Sequence, residues 1–136
     1  MIKKGLRLKW KDINYLVKKR NYFVYDIFGA YYVPQYPNRQ YNQFSVFIGL
    51  GASKSAVVRH FLKRIVMRYV AKNDLHMKKF WSGYYKCFIM IHKAQMPATQ
   101  KLIATMERKA IQDVVNEKIA VFFTRLYQRL WASSVK

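Results

Sequence analysis

Ser53-Lys54-Ser55-Ala56-Val57-Val58-Arg59-His60-Phe61-Leu62-Lys63-Arg64-Ile65-Val66-Met67-Arg68-Tyr69-Val70 is the stretch around which the rest of the chain is organised. It reads as one amphipathic helix, with Ser53 or Ser55 as N-cap acceptor and Gly49 and Gly51 just before it. At about 100° per residue, Val58, Phe61, Leu62, Ile65 and Tyr69 gather in a single apolar arc, with Val66 at its margin. Arg59, His60, Lys63, Arg64 and Arg68 fall across the opposite half-turn, with Val57 and Met67 among them. An ordinary solvated helix face mixes acids with bases, and this segment holds no acid. One face is built to pack, and the other to meet something negatively charged.

The whole chain carries the same imbalance. Its 136 residues hold 26 Lys+Arg against 6 Asp+Glu, a formal charge of +20, so the surplus belongs to the fold rather than to one helix. That surplus repels itself unless a polyanion offsets it, and it supplies the counterion-release term of nucleic-acid binding. A hydrophobic fraction of 52% is too high for a disordered basic tail and implies a real core. No run approaches the roughly 18 apolar residues of a membrane span. Lys3, Lys4, Arg7, Lys9 and Lys11 interrupt any signal-peptide core at the N-terminus. These features lead to the expectation of a soluble cytoplasmic protein without integral membrane association.

Working outward from the basic helix, the pattern predicts a small α+β single domain over 1–136, in the order α-β-β-α-β-α with a central sheet covered by helices. A basic arm (1–9) leads into a helix from Trp10 to Arg20, with Asp12 near its start and Lys18, Lys19 and Arg20 at its end, matching the macrodipole. Tyr22 to Val33 reads as one long strand, in which Gly29 marks a bulge or a close backbone approach. A polar loop with Pro34, Pro37 and Asn38 returns the chain to a second strand, Phe44 to Leu50, expected antiparallel to the first. After the basic helix, Leu75 to Gly83 reads either as a short helix carrying Met77, Phe80 and Trp81 or as a loop folding those two aromatics onto the core. The apolar Tyr84–His92 stretch predicts a central strand covered on both faces. One helix is expected up to about Gln112 and another from Asp113 to Trp131, with no Gly or Pro between them to decide whether the two are separate or continuous.

Independent catalysis finds little support. The acids are Asp12, Asp26, Asp74, Glu107, Asp113 and Glu117, and only Asp113 and Glu117 share a helix face, as solvated surface pairs commonly do. No phosphate-binding loop, nucleophile elbow, zinc-protease or dinucleotide motif occurs. His60, His76 and His92 are scattered, and the single Cys87 lies in an apolar run, where it reads as a small buried hydrophobe. Nucleic-acid binding fits better. Arg59, Lys63, Arg64 and Arg68 can bridge phosphates, and Lys54 and His60 complete the candidate set. Aromatics interleave with the basic segments at Tyr22, Phe23, Tyr25, Phe28, Tyr31 and Tyr32. Strand alternation sends half of them outward, where they could stack unpaired bases.

Ala56-Val57-Val58-Arg59-His60-Phe61-Leu62-Lys63-Arg64 resembles the pattern A-V-x-R-N-R-x-K-R of the protein subunit of bacterial ribonuclease P. Arg7-Leu8 before a basic helix, the apolar-Tyr segment Phe28 to Tyr31, and Phe123 to Leu130 are also similar to that family. His60 replaces its Asn, Phe61 its second Arg, and Lys86 an Asp that opens the following strand, and against the family's pattern residues 93–112 look like an insertion. The resemblance implies an RNA-binding subunit that assists a catalytic RNA in removing the 5′ leader of precursor tRNA, with Mg²⁺ held mainly by the RNA. It places Arg59, Lys63 and Arg64 against the catalytic RNA, and Ile13, Val17, Phe28 and Tyr31 along a cleft for the leader. The alternatives are a ribosomal or other structured-RNA-binding protein without a role in cleavage, and a protein of anionic membrane surfaces.

Overall fold

The computed structural model describes residues 8–49, 55–78, 83–91 and 107–135, with the side chains of the last helix described to Leu130. Readings that rest on Lys54, Phe80, Trp81, His92, the arm before Leu8 and residues 93–106 lie outside them. The elements are α1 (Trp10–Lys19), β1 (Tyr22–Tyr25), β2 (Phe28–Pro34), β3 (Gln43–Phe47), α2 (Ala56–Lys72), β4 (Tyr85–Ile91) and α3 (Arg108–Val135). The α+β class and the placing of sheet segments between three helices are as the sequence implies, with one strand more than expected before α2.

Two strand readings are corrected. Tyr22 to Val33 is a hairpin rather than one strand, reversed at Asp26 and Ile27, where Asp26 adopts a positive φ of 56°. Asp tolerates that left-handed conformation, and the turn lacks the Asn-Gly or Asp-Gly pair that announces a hairpin. β3 was expected beside the first strand. Instead the sheet order is β1-β2-β4-β3, antiparallel except for the parallel β3–β4 pair. A parallel pair needs a crossover, and α2 supplies it. β4 is thus interior, as its continuous apolar run predicts.

The register assigns every strand residue to a face. Phe23, Tyr25, Phe28, Ala30, Tyr32, Phe44, Val46, Cys87, Ile89 and Ile91 face α2 and α3 and form the main core. Phe122 of α3 packs on Phe23 and Phe28 with centroids 5.7 and 5.6 Å apart, and Phe123 packs edge-on to Phe44 at 5.9 Å. Lys118 of α3 meets Asp26 in the hairpin turn at 2.8 Å. α3 is continuous through 112 and 113, because Ile111, Val115, Ile119, Phe122, Leu126 and Leu130 form one buried stripe with no Gly or Pro to break it. Cys87 is fully buried, and that burial pushes its thiol up to about 12. The sequence reading as a packed hydrophobe holds.

α1 covers the other face, where Leu8 and Leu16 pack with Val33 and Phe88, and Ile13 joins at the edge. Its docking is fixed by an ion pair between the half-buried Asp12 and the buried Lys86. Asp12 Oδ1 meets Lys86 Nζ of β4 at 3.0 Å, while Asp12 Oδ2 accepts the Lys9 backbone N–H at the helix start. Partial burial works to raise the Asp12 carboxyl, but the hydrogen bond and charge of Lys86, helped by Lys9 and Arg39, hold it below its ordinary value. Asn42 ties the sheet to the turn after α2. Its Nδ2 donates to the Leu75 and Lys78 carbonyls at 2.7 and 2.6 Å, and its Oδ1 accepts from the Tyr85 N–H at 2.7 Å. Residues 73–77 are turns rather than a helix, with Leu75 buried and Met77 exposed.

Candidate nucleic-acid interface

α2 starts at Ser55, whose Oγ accepts the Val58 N–H at 3.4 Å. Its buried residues are Val58, Leu62, Ile65, Val66 and Val70, an arc rotated from the predicted one. Val66 sits inside it rather than at its margin, and Phe61 and Tyr69 are half-buried at its edge. The rotation follows from two-sided contact, because α2 must face both the sheet and α3, and a wheel drawn for one partner misses the second. Tyr69 stacks on Phe123 of α3 with centroids 5.8 Å apart and planes 11° from parallel. The Arg108 guanidinium lies 5.9 Å from the Phe61 ring centre.

His60, Lys63, Arg64 and Arg68 are exposed on the outward face, and Arg59 is half-buried beside Val66 and Val70 on the wheel. Arg64 opens onto a cleft of about 270 Å³ between α2 and α3, walled by Val57, Phe61, Arg108 and Ile111. Arg68 opens onto a second cleft of about 610 Å³ further along that seam, with Lys72, Gln112 and Asn116. The helix thus presents cations at one-turn spacing, with Arg forks suited to phosphate oxygens.

The leader-cleft candidates separate. Ile13 is half-buried and Val17 exposed on one flank of α1, and Tyr31 lies half-buried on the sheet face that α1 covers. Phe28 does not join them. It is fully buried on the opposite face against Phe122, because residues three apart on a strand point to opposite faces. In its place the register sets Val24, Gly29, Met90 and Phe47 in one row across the sheet, beside the row of Tyr22, Tyr31 and Phe88. Phe47 is 55% exposed, and the Tyr22 and Tyr31 rings lie 4.5 Å apart. Gly29 permits this face its shape, since a Cβ there would collide with the Tyr22 ring and hydroxyl. Alternation around Val46 was the available signal for Phe47; Met90 was hidden inside an unbroken apolar run.

A protein-held Mg²⁺ does not fit these residues. Among the described residues no three His, Cys, Asp or Glu side chains gather to hold a metal, and Asp12 and Asp26 are engaged by lysines. Asp113 and Glu117 are exposed on the outer side of α3. Among the described residues no helix is long and apolar enough to cross a membrane.

No protein-family model matches the sequence, and no curated protein matches it. Solved structures do. The Staphylococcus aureus RNase P protein is 14% identical, with a TM-score of 0.59 over 87% of this chain and 95% of that one. The Thermotoga maritima RNase P protein, in complex with 1-(4-fluorophenyl)-2-thiourea, is 14% identical, with a TM-score of 0.57 over 81% and 97%. Another structure of the Thermotoga maritima RNase P protein gives 13% identity and a TM-score of 0.56 over 82% of this chain and 96% of that one. The fold of this chain is that of the RNase P proteins of these two organisms.

Proposed function

We propose that this chain is a divergent protein subunit of ribonuclease P, which binds a catalytic RNA and assists it in removing the 5′ leader of precursor tRNA. The observation that carries the reading is the coincidence of the RNase P protein fold with exposed Lys63 and Arg64 on the helix where the sequence pattern resembles the family's RNA-binding motif. The basic face is a property of this chain itself.

In this reading, Lys63, Arg64 and Arg68 meet phosphates of the catalytic RNA, with Lys54, Arg59 and His60 beside them. Phe61 contributes packing at the α2–α3 seam rather than a phosphate contact. The leader strand lies along the flank of α1 that carries Ile13 and Val17, over Tyr31, with Phe47 and Met90 replacing Phe28 in the cleft wall. Mg²⁺ resides with the RNA partner. The protein positions RNA and screens its charge, and performs no bond cleavage.

Binding of the chain to a catalytic RNA, measured as a function of salt, tests the reading. The affinity should fall linearly on a log–log plot, and Arg64→Glu should reduce the steepness by about one phosphate equivalent or more while leaving the melting temperature unchanged. Affinity for the RNA that does not respond to Arg64→Glu or Arg68→Glu would overturn the assignment of the α2 face. Binding that responds, but without any stimulation of cleavage, would return the chain to the class of structured-RNA-binding proteins.

A further inference from the structure

α1 has two flanks, and the function above uses only one. On the wheel, Ile13 and Val17 lie to one side of the buried Leu16, and Asp12, Tyr15 and Lys19 lie to the other. Along that second flank runs a separate groove of about 630 Å³, walled by Lys11, Tyr15 and Lys19 on one side and Pro34, Tyr36 and Pro37 on the other. It borders the loop after β2, away from the open row of Val24, Met90 and Phe47.

The groove is lined by rings that carry cations. Lys19 Nζ stands 5.4 Å from the Tyr15 ring centre. Lys86 Nζ stands 3.9 Å from the Tyr36 ring centre, and the Arg39 guanidinium 4.9 Å from it. Tyr15 and Tyr36 are each 51% exposed, so half of each side chain is open to a ligand. Asp12, the acid in the wall, is committed to Lys86, which leaves the groove cationic.

The site is also held in shape. Gln35 Nε2 donates to Gln43 Oε1 and to the Tyr41 carbonyl, both at 3.1 Å, and Gln35 Oε1 accepts the Tyr36 N–H at 3.1 Å. Arg39 Nη1 donates to the same Gln43 Oε1 at 3.2 Å. Gln35, Gln43 and Lys86 are buried, so Tyr36 is presented by a fixed polar network rather than by a loose loop. A fixed platform loses less entropy when it binds.

We propose that this groove is a second RNA subsite, taking one or two unpaired nucleotides with their bases against Tyr36 and Tyr15 and their phosphates at Lys11 and Lys19. Planar rings beside cations match a ligand that alternates flat bases with anions, and stacking requires bases that are not already paired. An acidic peptide would satisfy the cations but leave the rings without a partner. The inference rests on the reading of the chain as an RNA-binding protein, yet it assigns a surface that reading does not use.

The test is binding of the full chain to a fluorescently labelled short oligoadenylate, with Tyr15→Ala, Tyr36→Ala and Tyr36→Phe as variants and thermal melting as a control for folding. Tyr15→Ala alters only an exposed helix position, so it stays informative even if Tyr36→Ala disturbs the Gln35 network. Each alanine variant should weaken binding about tenfold, and Tyr36→Phe, which keeps the ring, should stay within about twofold. Losses below about threefold in Tyr15→Ala, or in a folded Tyr36→Ala, would overturn the subsite. So would displacement of the oligoadenylate by a polyglutamate peptide at equal charge. If the groove variants behave like the parent while Arg64→Glu still weakens binding to the catalytic RNA, the subsite fails and the function above stands. If the parent binds neither RNA, both fall.

Discussion

Asp12 and Lys86 form the most consequential residue pair in the molecule outside α2. Lys86 is nearly fully buried at the centre of the sheet, and its charge is tolerated because Asp12 reaches it from the first turn of α1. Removing Asp12 leaves the buried Lys86 less well paired, but Asp12 itself is half-buried and partly screened, so Asp12→Asn should cost about 2 kcal/mol in urea unfolding. The double variant Asp12→Asn/Lys86→Met should recover part of that loss. A cost below about 1 kcal/mol would show the pair to behave as a surface bridge. The pH dependence has a definite sign. The folded carboxyl is held below its ordinary value, so its contribution is complete above about pH 4 and is lost as pH falls through the folded value. The parent should therefore lose stability in acid more steeply than Asp12→Asn does. At Gly29 the argument is steric: Gly29→Ala drives a methyl into the Tyr22 ring and should destabilise by about 2 kcal/mol. Tyr22→Ala should relieve most of that cost, which thermal melting of the pair of variants would show.

Among the elements, α2 shows both the reach and the limit of a helical wheel. Its N-cap, its extent to about residue 72 and its basic outer face follow from Ser55, the absence of acids and the period of the apolar residues. The rotation that buries Val66 and leaves Phe61 at the rim could not be read, because it depends on α3, more than 40 residues later in the chain. Leu62→Ala should accordingly cost about 3 kcal/mol or more, and Phe61→Ala clearly less, since Leu62 is fully buried and Phe61 is not. Equal losses in denaturant unfolding would contradict the observed orientation. The β1–β2 hairpin was illegible for a different reason. Both strands are aromatic and apolar, and the Asp26–Ile27 turn carries no glycine, so nothing in composition marks the reversal. That missed reversal also moved β3 to the wrong neighbour, since an antiparallel return along one long strand seemed available. The site inherited the error at Phe28, assigned by family position to a cleft that the alternation of β2 turns away from. Ile13, Val17 and Tyr31 rest on the same family position, and the structure places Ile13 and Val17 on one flank of α1 and Tyr31 on the sheet face that α1 covers.

At the scale of the whole molecule, the surplus of +20 on 136 residues is the dominant physical fact. With 6 Asp+Glu against 26 Lys+Arg, pairing within the chain cannot neutralise it, and among the described residues exposed cations lie on α1, α2 and α3. A polyanion that binds the native state must stabilise it, and a catalytic RNA at about 100 times its dissociation constant should add roughly 2.7 kcal/mol. The measurement that tests the central claim most directly is the rate at which a cognate catalytic RNA cleaves precursor tRNA at low Mg²⁺, with and without this protein. The account predicts that the protein raises the rate, that Arg64→Glu reduces the gain, and that the protein without RNA cleaves nothing. An unchanged rate in the presence of protein already bound to that RNA would contradict it.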